Sequence, residues 1–186
     1  MDLIITDEFF ESVDKIRKIA LSVDYTTHEE IFEQTGATGW VGRRSKKLSS
    51  FNDSFLDECE KKILLHLEEV FGVSGLKITS FFHICYEELK WTTQEFGLYK
   101  YHKDFLPAAG VVYLTPNAPK DMGTSVLDGD NNKIVNVDNV YNRLVTYPGD
   151  YIHAVTNVFG DKNENGRLTL SFFLHTEDDD LDYGNP

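Results

Sequence analysis

Arg167-Leu168-Thr169-Leu170-Ser171-Phe172-Phe173-Leu174-His175 alternates Arg167, Thr169 and Ser171 with Leu168, Leu170 and Phe172, the period of two that belongs to a β-strand. An arginine that such a strand turns into a barrel is costly unless it meets an anion, and its planar fork of donors matches a carboxylate. Working back from this strand, residues 78–86, 98–102, 110–114, 143–147 and 152–158 are also rich in β-branched and aromatic residues and are separated by turn formers. Residues 128–132 and 161–166 read as hairpin loops.

Ahead of the strands the sequence reads as helical. Thr6 can cap a helix opened by Asp7 and Glu8, in which Phe9, Val13, Ile16, Ala20 and Val23 recur at helical spacing. A second amphipathic stretch runs from about Ser54 through Leu56, Cys59, Ile63, Leu67 and Val70 and stops at Gly72. Residues 36–45 between them, with three glycines, read as irregular backbone near a site or as an ordinary surface connection. The order of elements predicts an α+β, mainly β chain with a sandwich or barrel and the N-terminal helices packed outside. One domain is expected over residues 1–176, helical over 1–76 and β over 77–176, followed by a mobile acidic tail, 177–186.

The net charge of −13 over 186 residues argues against capture of nucleic acid or of an anionic membrane. No stretch approaches the roughly 20 apolar residues of a membrane span. Two cysteines and a charged start predict a reducing, cytoplasmic setting.

His102 and Asp104 stand two apart at the end of an expected strand, so both side chains leave the same face. Two imidazoles and one carboxylate cap one face of an octahedral metal and leave the opposite face open, as non-haem iron(II) oxygenases require. His153 opens a later strand after the turn 147–150 and is the candidate third ligand. A His-x-Asp tripeptide by itself arises often by chance, and its weight comes from its company: His153, and Arg167 at the start of the last strand.

These residues carry a family resemblance. Tyr99-Lys100-Tyr101-His102-Lys103-Asp104, Val111-Val112-Tyr113-Leu114, Gly123-Thr124-Ser125, Asn142-Arg143-Leu144-Val145, His153-Ala154-Val155 and Arg167 to Phe173 agree in order, spacing and context. Over about half the chain the sequence resembles the prolyl-4-hydroxylase-like branch of the iron(II)/2-oxoglutarate oxygenases. The resemblance implies a double-stranded β-helix (a cupin-like jelly roll), iron(II) held by His102, Asp104 and His153, and Arg167 as the partner of the cosubstrate's distal carboxylate. It also implies that Tyr113 assists this arginine and that Tyr86 lies near the metal-chelating end, each against the plain reading of a core tyrosine. Thr169 could add a hydroxyl to that pocket, though packing is the simpler account. The resemblance further implies dioxygen as the second cosubstrate, and retention of Asp104 points to hydroxylation, since halogenating relatives replace this carboxylate.

Two departures stand out: a longer gap between His153 and Arg167, and one glycine where relatives have two between Met122 and Asp128. Two other functions fit less of the pattern, a β-helix binding protein without turnover and a cupin-like enzyme using Mn, Ni or Zn without 2-oxoglutarate. Of the remaining histidines, His28 and His66 are expected to face solvent, and His83 and His175 to be structural. The substrate, whether a protein side chain such as proline, an amino acid or a small metabolite, and the oligomeric state are not legible.

Overall fold

The computed structural model describes residues 3–27, 30, 42–87, 101–104, 106–127 and 134–176. In chain order these form β1 (Ile4–Thr6), α1 (Val13–Ala20), β2 (Thr26–Thr27), β3 (Arg43–Arg44), a 3-10 turn (Leu48–Phe51), α2 (Ser54–Phe71), β4 (Lys77–Cys85) and β5 (Ala108–Tyr113). β6 (Thr124–Leu127), β7 (Ile134–Val137), β8 (Leu144–Pro148), β9 (His153–Val155) and β10 (Arg167–His175) follow.

All strand pairs are antiparallel, in a larger sheet of order β1-β8-β5-β10-β4-β3-β2 and a smaller one of order β7-β6-β9. The larger sheet is buried on both faces. Leu168, Leu170, Phe172 and Leu174 of β10 join Phe82 and Ile84 of β4 and pack with Ile16, Ile63 and Leu67 of the helices. The opposite face carries Ala109, Val111, Tyr113, Val145 and Tyr147, which meet Val126 and Val137 of the smaller sheet. Gly110 faces the helix side, where an added Cβ would come 2.5 Å from the Phe172 ring. Fully burying such leucines and phenylalanines contributes about 1.5–3 kcal/mol each, so the strand alternation of two apolar faces is what holds the layers in register.

The second helix forms as its sequence suggests: Asp53 accepts from the Phe55 N–H at 2.9 Å, and Gly72 ends it at φ 65°. The first helix differs. Thr6 caps nothing; residues 4–6 pair with Thr146, Val145 and Leu144, and the helix starts only at Val13. Tertiary contacts override the local helical pattern. Asn142 accepts from the Phe10 N–H and donates to the Phe10 carbonyl, both at 2.8 Å, while Arg143 clasps Asp7 at 2.6 and 2.9 Å.

Residues 161–166 are not a hairpin loop, because β9 and β10 lie in different sheets. This segment is a crossover closed on itself: Asn165 Oδ1 accepts from the N–H groups of Asp161 and Lys162 at 3.0 and 3.1 Å. It is also tied to α1, whose Arg17 donates to the carbonyls of Leu114 and Glu164. The extra length after His153 is thereby folded locally. Residues 128–132 lie outside the described residues, but β6 and β7 on either side pair as a hairpin does, with Leu127 opposite Ile134. His66 is half-buried, against Thr6 Oγ1 at 3.3 Å and the Phe9 ring, and does not face solvent as expected. His28, residues 36–41, 98–100 and the acidic tail 177–186 also lie outside the described residues.

Candidate metal and dicarboxylate site

Each of the strand positions needed for a metal site comes from backbone pairing. His102 pairs with His153, and the Asp104 N–H donates to the Gly149 carbonyl at 2.8 Å. Side chains directly opposite on antiparallel strands share a face, so the imidazoles of His102 and His153 come together, their rings 4.3 Å apart. The ligand atoms of His102, Asp104 and His153 all lie within 4.8 Å of one another. Asp104 Oδ1 is 3.6 Å from His102 Nε2, and Asp104 Oδ2 is 3.4 Å from His153 Nε2.

The hydrogen bonding fixes which atoms face the centre. His153 Nδ1 lies 3.0 Å from the Tyr151 carbonyl, which can only accept, so Nδ1 carries the hydrogen. Burial, with His102 beside it, holds the His153 pKa down against the pull of Asp104. Nε2 of the neutral ring thus presents a lone pair. It faces Asp104 Oδ2, a buried oxygen with no hydrogen-bond partner among the described residues. Two electron-rich atoms aimed at one point repel unless a cation lies between them.

Arg167, at the start of β10, is 2% exposed. Its Nη2 makes long contacts of 3.4 Å to the Gly123 carbonyl and to Thr124 Oγ1, its Nε has no hydrogen-bond partner, and its guanidinium lies 5.5 Å from the Tyr113 ring centroid. Among the described residues no carboxylate pairs with it. Tyr113 shares a 2.7 Å hydrogen bond with the same Thr124 Oγ1, and burial raises its pKa. Thr169 lies in the next rung of β10, opposite Tyr113, with its hydroxyl 3.1 Å from Ser171 Oγ.

The small sheet relates this cation to the triad. Thr124, which touches Arg167, and Val126, which pairs with His153, are two residues apart on one face of β6, a separation of about 7 Å. The structure therefore has a His-Asp-His cluster able to hold a metal ion and, one strand step away, a buried guanidinium that meets no anion among the described residues.

Tyr86 is not part of this arrangement. Cys85 is the register partner of Arg167, and the next residue turns to the other face, where Tyr86 packs in the helix-side core. Two residues of the inter-sheet space escape the sequence reading. Tyr147 of β8 is buried with its ring 4.4 Å from that of His153, and burial together with the Asp104 carboxylate raises its pKa well above the ordinary range. Arg44 of β3, opposite His83, lies over the rings of Phe81 and Phe173 at 5.0 and 5.8 Å. Alternation within 143–147 could have flagged Tyr147; the pairing of Arg44 has no local signal.

No family model matches the chain, and no curated protein matches it. Solved structures do. The non-haem alpha-ketoglutarate-dependent epimerase SnoN from nogalamycin biosynthesis is 11% identical, with a TM-score of 0.64 over 94% of this chain and 77% of its own. A prolyl-4-hydroxylase from Pseudomonas putida is 13% identical, with a TM-score of 0.58 over 95% of this chain and 93% of its own. HygX from Streptomyces hygroscopicus, solved with nickel and 2-oxoglutarate bound, is 12% identical, with a TM-score of 0.61 over 95% and 84%. At such identities the likeness is one of architecture: the chain has the mainly β, double-stranded β-helix fold of these oxygenases, with helices packed outside.

Proposed function

We propose that this protein is a non-haem iron(II) oxygenase that uses 2-oxoglutarate and hydroxylates a substrate. The observation that carries the reading is the pairing of a His-Asp-His cluster, whose lone pairs converge, with a buried and anion-free Arg167 about one strand step away. Either feature alone has other uses. Together they match a ligand that chelates a metal at one end and presents a carboxylate at the other.

The donor set fits the metal. His102, Asp104 and His153 would hold iron(II) through two nitrogens and one carboxylate, the facial set that leaves positions open. The Tyr151 carbonyl orients His153 through Nδ1. When bound, iron(II) supplies the activation of dioxygen that couples oxidative decarboxylation of 2-oxoglutarate, to succinate and carbon dioxide, to oxidation of the substrate. The chain's own part is to bind and orient. Arg167 takes the distal carboxylate, Tyr113 and Thr124 form the polar wall beside it, and the apolar residues Val111, Val126 and Val145 keep water from the space between the sheets.

The resemblance in sequence and the fold shared with SnoN, HygX and the Pseudomonas putida prolyl-4-hydroxylase support the same reading. Structural neighbours have been solved with a peptide fragment of hypoxia inducible factor and with hygromycin B bound, so either a protein side chain or a small molecule is a candidate substrate here. A cytoplasmic setting is in keeping with two buried free cysteines. No helix among the described residues is long and apolar enough to cross a membrane.

The test is anaerobic titration of metal-free protein with iron(II) and then 2-oxoglutarate, following the visible metal-to-ligand charge-transfer band of the chelate. A band that needs both additions, is lost in His102→Ala and weakens in Arg167→Ala supports the reading. Folded protein that binds iron and gives no band refutes it.

A further inference from the structure

Arg44 is a second cation on the face of the larger sheet that looks onto the smaller one, and the proposed reaction gives it no task. It stands on β3 opposite His83 of β4, and His83 pairs with Thr169, which lies opposite Tyr113, so all four share that face. The next residue fixes its backbone: the Ser45 N–H donates to the Phe82 carbonyl at 2.9 Å, and the Ser45 hydroxyl accepts from the Phe82 N–H at 3.0 Å. From this rung the half-buried side chain runs along the sheet, and its guanidinium lies over the rings of Phe81 and Phe173, 5.0 and 5.8 Å from their centroids.

Phe173 marks the level of the metal cluster. It pairs with Ala109, and Ala109 with Tyr147, whose ring is 4.4 Å from that of His153. Phe173 and Tyr147 are thus two strands apart in one rung, about 10 Å, whereas Phe173 and Arg167 stand near opposite ends of β10, about 20 Å apart. The Arg44 guanidinium therefore lies across the sheet from the cluster, away from the place of Arg167. A guanidinium stacked on aromatic rings keeps its N–H edge for an acceptor, and that planar fork fits a carboxylate. The local charge acts in the same sense: Arg43, Lys46 and Lys47 flank Arg44, so a chain of net charge −13 is basic at this edge of the sheet.

We infer that Arg44 selects the substrate: the molecule oxidised at the His102, Asp104 and His153 cluster carries a carboxylate that Arg44 binds, while the rings of Phe81 and Phe173 take the apolar stem between that carboxylate and the reacting carbon. The inference rests on the proposed function and adds the class of substrate to it. A small organic acid and an acidic peptide side chain offer the same group, and the experiment separates them.

Metal-free protein is loaded anaerobically with iron(II) and 2-oxoglutarate, and two matched pairs of probes are titrated in: N-acetylglutamate against N-acetylglutamine, and a capped glutamate-rich peptide against its glutamine counterpart. Calorimetry gives the affinity, and the charge-transfer band reports arrival beside the metal. The expected result is that an acidic probe binds at least about tenfold tighter than its amide, as for a gained charge-assisted pair, and moves the band. The net negative charge by itself would favour the amides. Preference within the small pair alone marks a metabolite, and within the peptide pair alone a protein substrate. Arg44→Met, which keeps contact with the two rings, is expected to lose the preference while binding 2-oxoglutarate within about twofold of wild type, and Arg44→Lys to recover part of it, with melting curves to establish that both are folded. No preference for acid over amide in the wild type, the case of no probe binding included, overturns the inference and leaves the proposed function standing, as does a preference that survives in Arg44→Met. Failure of the wild type to bind 2-oxoglutarate sinks the functional reading and this inference with it.

Discussion

His102 and His153, distant in sequence, exchange backbone hydrogen bonds in both directions, His102 N–H to the His153 carbonyl at 3.0 Å and His153 N–H to the His102 carbonyl at 2.9 Å. The next link, Asp104 N–H to the Gly149 carbonyl at 2.8 Å, continues the same ladder. The three candidate ligands are therefore held by main-chain pairing, and the site's geometry depends on how closely segment 102–104 approaches the turn after β8.

Gly149 sets that approach. A Cβ there would meet the Leu106 carbonyl oxygen at 2.3 Å and the Leu106 nitrogen at 2.8 Å, all backbone. Gly149→Ala is expected to push segment 104–106 away, weaken iron(II) binding at least tenfold and destabilise the fold by about 1–3 kcal/mol. Metal titration by calorimetry and chemical denaturation measure both; unchanged metal affinity would show that the ladder does not govern the site.

A buried guanidinium without an anion is a strain that a ligand relieves. Arg167→Met is expected to melt at or above the wild-type temperature when neither metal nor 2-oxoglutarate is present. The wild type is expected to gain about 2.7 kcal/mol with metal and 2-oxoglutarate at a hundred times its Kd, and the variant almost none. Thermal melts with and without the dicarboxylate test this.

Asn142 holds the N-terminal segment through two 2.8 Å hydrogen bonds to Phe10, from a backbone at φ 63°. Asn142→Ala removes both bonds and strains the left-handed conformation, for an expected loss of about 2–4 kcal/mol. Because its side chain bonds to Phe10 and to none of His102, Asp104 and His153, iron binding below the melting transition is expected to stay within about twofold of wild type.

Glu60 of α2 is buried against the larger sheet and accepts from the Ser80 hydroxyl at 2.7 Å. Burial raises its pKa above 4.5, more than the Ser80 bond lowers it. The folded state then binds the proton more tightly than the unfolded state. This contribution to stability is complete below the unfolded pKa and is lost as pH rises through the folded one. Glu60→Gln keeps an acceptor for Ser80 and cannot ionise, so it is expected to be more stable than wild type at pH 7.5, by on the order of 1 kcal/mol, and equal to it near pH 4. Paired denaturation curves at the two pH values give the difference; a gain that does not depend on pH would assign it to packing.

Much of the fold follows from sequence alone. The strands around 78–86, 110–114, 143–147 and 167–175 follow from their composition and turn formers, and α2 follows from its apolar spacing and Gly72. His102, Asp104, His153 and Arg167 were legible as a set because their chemistry and order are specific even where each residue is not. Tertiary structure alone decided the rest. Residues 4–6 became a strand because Asn142 and Arg143 hold the segment beside β8, and β9 parted from β10 because the chain crosses between sheets. It also decided which tyrosine faces the site. Both faces of the larger sheet are buried, one under helices and one under the smaller sheet. Alternation in such strands tells which residues share a face and not which face is which, so Tyr86 on the helix side and Tyr147 on the side of the smaller sheet are told apart only once the sheets are paired.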